Sequence, residues 1–260
     1  MDTEKPVQVG LGASEDAHEY FSDSQTVKQN VAALAAALKE KRKVVVFTGA
    51  GISTASKLPD YRGPQGVWTL REQGKQAVFD VSFEQAEPTL AHRVVAALER
   101  EGLVGGVVST NVDNLHCKSG NVSLAELHGN VFVERCASCK KDFRRSFDVT
   151  APRGCQPDHA TGRQCEDCGG ALLDTIVHFG EALEAAEFDK ATRLSEGAAV
   201  ALVLGTSLRV KPASQLPTSA ERRFIVNLQK TPHDKDSVVT RCRIDLFMQL
   251  LALELSLIHI

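Results

Sequence analysis

Four cysteines stand in two knuckles, Cys136-x-x-Cys139 and Cys165-x-x-Cys168, with 25 residues between the pairs. Thiolates at this spacing can close a tetrahedron around one zinc ion. Four protein ligands leave no open coordination position, so a metal held this way is structural. Cys155 and His159 lie between the knuckles and are alternative ligands. A dithiol redox pair is the rival chemistry, but neither knuckle precedes a convincing helix. Cys117 and Cys242 read as plain thiols. An odd total of seven cysteines, behind an N-terminus (MDTEKPVQVG) with no basic and apolar leader, points to an intracellular metal site rather than a disulfide framework.

A second set of residues suits nucleotide chemistry. The run KVVVF ends in Gly49-Ala50-Gly51, and a helix is expected to follow. Glycines there let a backbone approach phosphates, and a helix N-terminus would supply N–H donors. The third glycine of the usual dinucleotide fingerprint is absent, because Thr54 stands in its place. The acid about twenty residues on, Glu72, sits in TLREQGK, which does not read as the end of a second strand. A hydride-transferring dehydrogenase is therefore an incomplete match, and on the loop alone a turn that binds nothing stays open. Two later apolar runs end in Gly205-Thr206-Ser207 and in Asn227-Leu228-Gln229. Small and amide residues at three strand ends suggest one extended ligand along that edge, with amides suited to ribose hydroxyls and adenine. STNVDNLHC puts Asn111 and Asp113 at the same edge. His128, just before Gly129, is a candidate general base, and His116 competes on the same terms.

The elements that would position these groups alternate. Residues 25–41 are alanine- and leucine-rich with helical spacing, and 43–47 and 105–110 read as strands buried on both faces. Residues 87–102 read as a helix between Pro88 and Gly102. LLDTIVHFG is strand-like, EAAEFDKATRLSEG helical, 199–205 and 223–228 strands, and 245–255 a last helix. The alternation predicts an α/β fold, a Rossmann-like parallel sheet with helices on both faces. Residues 131–175 break the rhythm with paired cysteines, basic residues and turn formers. They read as a small zinc-binding insert, a zinc-ribbon module that the metal organises in place of a core. The expected organisation is a loose arm (1–24), a discontinuous nucleotide-binding domain (25–130 and 176–255), the insert (131–175) and a tail (256–260). A net charge of −3 gives no global basic field to attract nucleic acid, and no apolar run approaches the ~20 residues of a membrane helix.

The glycine loop, NVD, ELHGN, the knuckles, GTSL and VNLQ stand in one order along residues 28–250. As a set they resemble the sirtuins, NAD-dependent protein deacylases, and GISTASKLPDYRGPQGVW with DTIVHFGE is most similar to the nuclear branch. The resemblance implies that NAD is cleaved at its nicotinamide glycosidic bond. Gly49, Ala50, Gly51 and Thr54 would hold phosphate and ribose. Asp60, Tyr61 and Arg62 would lie in a loop closing over NAD, with Tyr61 as an aromatic gate and Trp68 as the aromatic of the GVW element. Ile52 and Asp113 would border the nicotinamide carboxamide, and Asn111 the ribose hydroxyls. Gly205, Thr206, Ser207, Asn227, Leu228, Gln229 and Ile244 would contact the adenosine half. His128 would be the general base, with Asn111 and Asp113 beside it in the catalytic set. The acetyl oxygen of a lysine would attack C1′, and His128 would take a proton from a ribose hydroxyl. The products would be free lysine, nicotinamide and O-acetyl-ADP-ribose. Val177, His178, Phe179, Gly180 and Glu181 would pair with an extended acyl-lysine peptide.

Three positions depart from the family pattern: Thr110 replaces a glutamine that contacts ribose, Asn114 a glycine, and Cys242 a glycine. Asn114 is tolerable in a left-handed backbone. The expected activity is protein-lysine deacetylation or deacylation in the nucleus, on histone or other nuclear proteins, with possible chromatin or nucleic-acid contact and no membrane. The alternatives are a weakly active NAD-binding sensor or scaffold, which Thr110 motivates, and a protein ADP-ribosyltransferase.

Overall fold

The computed structural model describes residues 18–40, 42–60, 63–75, 80–151, 154 and 156–257. Helix α1 (Ser24–Lys39) starts at Asp23, whose carboxylate accepts the Thr26 N–H at 2.8 Å. Val27, Val31, Leu34 and Leu38 form its buried stripe. Strand β1 (Val44–Thr48) follows, then helices α2 (Val67–Glu72) and α3 (Leu90–Arg100), strand β2 (Gly106–Ser109), the short helix α4 (Leu115–Ser119) and strand β3 (Leu124–Glu126). Strands β4 (Val133–Cys136), β5 (Asp142–Arg144), β6 (Ala160–Gln164) and β7 (Ala171–Asp174) come next. Helix α5 (Ala185–Ser195), strands β8 (Val200–Leu204), β9 (Arg222–Val226) and β10 (Val238–Thr240), and helix α6 (Ile244–Glu254) complete the described elements.

Six of these strands form one sheet in the order β10-β9-β8-β1-β2-β3, with every pairing parallel. Counted along the chain this is the doubly wound order 3-2-1-4-5-6, and its direction reverses between β1 and β8. Alternate residues feed opposite faces. Val44, Val46, Leu202, Leu204, Phe224 and Val226 pack with α1, α3 and α6. Val45, Phe47, Ala201, Val203 and Ile225 pack under α5 and the turn Ala213–Ser219. Burial on both faces is why these strands read as unbroken apolar runs.

The second sheet is antiparallel, in the order β5-β4-β7-β6. Its apolar core among the described residues is Cys136, Phe143, Cys165 and Leu172. A fully buried carboxylate supplements it: Glu134 takes Arg145 Nε and Arg163 Nε at 2.7 Å each. Arg135 reaches out, pairing with Asp142 and with Glu184 ahead of α5.

Three expectations need correction. No α-helix begins directly at the glycine loop. Two short 3-10 turns, Ala50–Ile52 and Thr54–Ser56, stand there, and left-handed Lys57 (φ 63°) ends the second. Pro59, Gly63, Pro64 and Gly66 keep the next stretch from closing a helix. A helix-dipole phosphate site is therefore absent at this loop. Next, LLDTIVHFG is strand only to Asp174. Asp174 Oδ1 takes the Ile176 N–H at 2.9 Å, the Val177 N–H turns to the His128 carbonyl at 3.1 Å, and residues 175–178 pair with no strand. Finally, the end of the proposed arm is anchored: Tyr20 N–H donates to the Leu228 carbonyl and Ser22 N–H to the Arg241 carbonyl. Residues 1–17 lie outside the described residues. No helix among the described residues is long and apolar enough to cross a membrane.

Candidate active site at the strand reversal

The carboxyl ends of β1 and β8 meet so closely that side chains are excluded. A Cβ on Gly51 would lie 2.8 Å from Gly205 Cα, and one on Gly49 would lie 2.7 Å from Thr206 Cβ. Gly205 itself needs φ +64°. A cleft of about 1910 Å³ opens over this junction. Its floor is Gly49, Ala50 and Gly51. Gly205, Thr206 and Ser207 flank it, with Asn227 and Gln229 beyond, and Asp60, Thr110 and His128 also line it. The residues Ile176 to Glu181 form one wall, and Leu208 to Gln215 line the cleft as well.

Other expected residues sit differently. Ile52 is buried in the apolar core, Thr54 is exposed with its hydroxyl on the Gly51 carbonyl, and Ile244 opens α6 against the core. Leu228 is half-buried beside the cleft edge, its carbonyl taken by Tyr20. Tyr61 and Arg62 lie outside the described residues, as does the Trp68 side chain on α2.

His128 is placed by Gly129, whose φ of +81° lets the chain pass so close to Thr175 that a Cβ would lie 1.8 Å from its carbonyl oxygen. The His128 Nδ1–H donates to the Thr110 carbonyl at 3.0 Å. That bond fixes the tautomer and leaves Nε2 as the ring's acceptor. Burial lowers its pKa, against the opposing pull of the Thr110 carbonyl, so the ring is neutral at pH 7. His116 does not compete. It is buried with both nitrogens engaged, Nε2 on the Thr48 hydroxyl (2.9 Å) and Nδ1 on Asn121 Oδ1 (3.0 Å).

Behind Thr110 lies a polar cluster. Asn111 Nδ2 donates to the Gly49 carbonyl and to Ser53 Oγ, both at 3.2 Å, while its Oδ1 is buried with no partner among the described residues. The Ser53 hydroxyl donates to Asp113 Oδ2 at 2.6 Å, and Asp113 Oδ1 accepts the Leu115 N–H. Ser53 was missed in the sequence; its place two residues after Gly51 was the available signal. Burial raises the pKa of Asp60, and the Gly63 N–H opposes the rise.

A one-way hydrogen-bond chain underlies the cluster. Asn111 N–H donates to Ser109 Oγ (3.1 Å), and Ser109 and Thr48 hydroxyls are 3.0 Å apart. His116 Nδ1–H must face the Asn121 carbonyl oxygen, because Asn121 Nδ2 donates to Glu99 at 2.7 Å. His116 Nε2 then accepts the Thr48 proton, and Ser109 donates to Thr48. Every proton points from Asn111 towards Glu99. The order requires neutral His116, and burial lowers its pKa.

In the second sheet, the sulfurs of Cys136, Cys139, Cys165 and Cys168 all lie within 4.8 Å of one another, with 3.4 Å between Cys136 and Cys168 and 3.8 Å between Cys139 and Cys165. A tetrahedron with ~2.3 Å zinc–sulfur bonds has edges of about 3.8 Å, so these residues fit one zinc ion. The Cys139 N–H donates to Cys136 Sγ at 3.4 Å, a backbone bond of the kind that supports a thiolate. His159 faces Asp174 and Glu181 instead of the sulfurs, and Cys155 lies outside the described residues.

Comparison with known proteins agrees with this geometry. A family model described as the Sir2 family matches residues 71–212. The bovine NAD-dependent protein deacetylase sirtuin-7 is 42% identical over 258 residues, covering 92% of this chain and 63% of that protein. The chain thus spans less than two thirds of the sirtuin-7 relatives it matches. The NAD-dependent protein deacetylase of Thermotoga maritima is 37% identical over 220 residues, covering 76% of this chain and 86% of that protein. A solved Sir2 complex with p53 peptide and NAD+ superposes with a TM-score of 0.69 at 32% identity, covering 86% of this chain and 98% of that one. With a doubly wound sheet, a cleft at its strand reversal, a four-thiol module and these matches in agreement, the chain belongs to the Sir2 family.

Proposed function

We propose that this chain is an NAD-dependent protein-lysine deacetylase or deacylase that acts on histone or other nuclear proteins. The observation that carries the reading is His128: a neutral base, its tautomer fixed by the Thr110 carbonyl, in a cleft between the strand-reversal loops and the 176–181 wall. Residues 25–130 and 176–255 serve as the NAD-binding domain and 131–175 as the zinc-binding module. Relatives named sirtuin-7 and a Sir2 bound to acetylated peptide support the substrate class. A nuclear location rests on the same relatives.

Bound NAD supplies an electrophilic glycosidic carbon and a ribose hydroxyl. His128 Nε2 takes the proton from that hydroxyl, and the Thr110 carbonyl steadies the resulting imidazolium through Nδ1–H. Asn111 presents its unpaired Oδ1 as an acceptor for a ribose hydroxyl, oriented by Gly49 and Ser53. Thr206, Ser207, Asn227 and Gln229 offer hydroxyls and amides to the adenosine half. Residues 175–178, which pair with no strand, form the seat for an extended peptide. An amide oxygen is a poor nucleophile, so the walls must hold it in line and exclude water.

The test is nicotinamide release by zinc-loaded protein given NAD, with and without an acetyl-lysine histone peptide. Peptide-dependent release with matching loss of acetyl groups is expected, and His128→Tyr should fold normally yet lose turnover. One observation favours a second reading, a feeble NAD-binding sensor. The Thr110 hydroxyl donates to the Thr48 carbonyl at 3.2 Å and is thereby already engaged. Tight NAD binding without release would select that reading, and labelled ADP-ribose left on protein would select a transferase.

A further inference from the structure

Several groups of the zinc-binding module touch the peptide wall, and one of them, the His159 side chain, can change charge. His159 precedes β6 and is held in the left-handed region at φ +57°, an uncommon backbone for a residue with a side chain. Its N–H donates to the Gln156 carbonyl, and its carbonyl accepts the Asp174 N–H at 2.8 Å. The ring thereby spans two carboxylates, with Nδ1 3.0 Å from Asp174 Oδ1 and Nε2 3.0 Å from Glu181 Oε1. It also stacks on His178, centroids 4.6 Å apart.

Both carboxylates have a second task. Asp174 Oδ1 also accepts the Ile176 N–H at 2.9 Å, and Glu181 Oε2 accepts the His178 N–H at 2.7 Å. These two bonds shape the start and the end of the 176–181 segment. His178 Nε2–H donates to the Gln156 carbonyl, which adds a third tie to the module. Glu181 therefore shapes the wall and is already engaged, rather than standing free for a peptide.

We propose that His159 is a positioning residue for the acyl-lysine peptide: its doubly protonated ring, held between Asp174 and Glu181, latches the 176–181 wall to the zinc-binding module and makes peptide binding, but not NAD binding, depend on pH. The inference rests on the reading that this cleft takes an acyl-lysine peptide. A neutral imidazole carries one N–H, so it can satisfy only one carboxylate and turns a lone pair towards the other. The Asp174 side chain is 2% exposed and Glu181 38%. Water can replace the contact at Glu181 but not at Asp174, so deprotonation frees the Glu181 end. Among the described residues, the titratable groups touching the ring are Asp174 on β7 and Glu181 and His178 on the wall. Asp158, on the same loop, is turned to the Ala160 N–H. Burial alone would lower the pKa of His159, but the hydrogen bonds to Asp174 and Glu181 outweigh it and raise it above 6.5. The latch is closed below 6.5 and opens as pH rises through the raised value.

The experiment uses the zinc-loaded full chain and a fluorescent peptide with one central acetyl-lysine. Peptide and NAD dissociation constants are measured from pH 6 to pH 9. Wild-type peptide affinity should fall about tenfold across that range, the low end for losing one charge-assisted hydrogen bond, with NAD affinity within about twofold. His159→Phe keeps the stack and removes both bonds. It should bind peptide at pH 6.5 as weakly as wild type does at pH 9, without a slope. His159→Arg, charged throughout, should restore tight binding and also abolish the slope. Zinc content and a melting curve report folding; should His159→Phe fail to fold, Glu181→Gln should show the same flattened profile. Tight pH 6.5 binding by a folded His159→Phe, or retention of the wild-type slope in it, overturns the proposal. If wild type binds no acetyl-lysine peptide, the deacylase reading fails. The latch is then judged by the NMR titration of His159, where a midpoint at or below 6.5 refutes it.

Discussion

Thr48→Val tests the hydrogen-bond chain beneath the active site with an isosteric change. Thr48 is 1% exposed, and its hydroxyl joins His116 Nε2 to Ser109 Oγ. Valine fills the same space but leaves a buried acceptor on His116 and a buried donor on Ser109 unpaired. Each orphan costs about 1–3 kcal/mol, so the variant should lose about 3 kcal/mol. At about 2–4 °C per kcal/mol for a chain of this size, that is roughly 6–12 °C in Tm. Thr48→Ser is the control, because it keeps the hydroxyl and loses one buried methyl, a cost of about 1 kcal/mol. Urea unfolding of zinc-loaded protein measures both. Ser109 accepts the Asn111 N–H, so a slackened chain should also lower kcat/KM in the valine variant more than in the serine variant. The reasoning fails if valine costs no more than serine. A chain of aligned donors predicts the opposite order from one based on volume alone.

Acid should find the same region. His92 and His116 are both held neutral chiefly by burial, with pKa values below the 6.5 of an exposed histidine. The unfolded chain then binds more protons as pH falls, so stability is full above 6.5 and should drop by about 2 kcal/mol between pH 6.5 and 5.5, measured by urea unfolding with zinc content checked. At the adenosine end, Arg241 donates to the carbonyls of Asn227 and Gln229 and pairs with Asp234. Arg241→Met should raise the KM for NAD about tenfold with kcat within twofold, because the lost charged bonds hold backbone rather than reacting atoms. Cys136→Ser should drop zinc below one per chain and lower Tm; unchanged stoichiometry would redirect the ligand assignment.

The sheet was legible because its strands are buried on both faces, so a run such as VALVL could not be mistaken for an amphipathic element. The four thiols were legible from spacing alone. The 3-10 turns after Gly51 were not. The glycines there serve the approach of Gly205, which follows a strand far away in sequence, and a local reading assigns them to a following helix. The extent of the strand in LLDTIVHFG escapes a local reading for a related reason. Its apolar start is strand-like, but pairing ends where Asp174 and His128 capture the N–H groups of Ile176 and Val177, and the second is a partner no local window contains. Asn111 and Asp113 could be placed at the strand edge from sequence, yet their dependence on Ser53 is tertiary, as is the link from Ser109, two residues before Asn111, to Thr48.

The three departures from the family pattern differ in kind once their surroundings are considered. Asn114 takes the left-handed backbone that a glycine would supply (φ 63°), and its side chain gains partners a glycine lacks: Oδ1 accepts Asn130 Nδ2 at 2.8 Å and Arg144 Nη1 at 2.7 Å. Asn130 also donates to Glu126 Oε1, so the substitution knits α4 to β3 and to β5. Cys242 is 5% exposed and packs into the core with Phe247 and Leu251; burial raises its thiol pKa to about 11, and it does not line the cleft. Both changes are thus absorbed within the scaffold. Thr110 is not. It lines the cleft, its hydroxyl is turned to the Thr48 carbonyl, and it is too short to span the reach of a glutamine amide. The same residue's carbonyl holds His128. The base is therefore held by the backbone of Thr110 and makes no demand on its side chain. Thr110→Gln should accordingly change NAD affinity while leaving the His128 tautomer, and with it the pH profile of kcat, where it was.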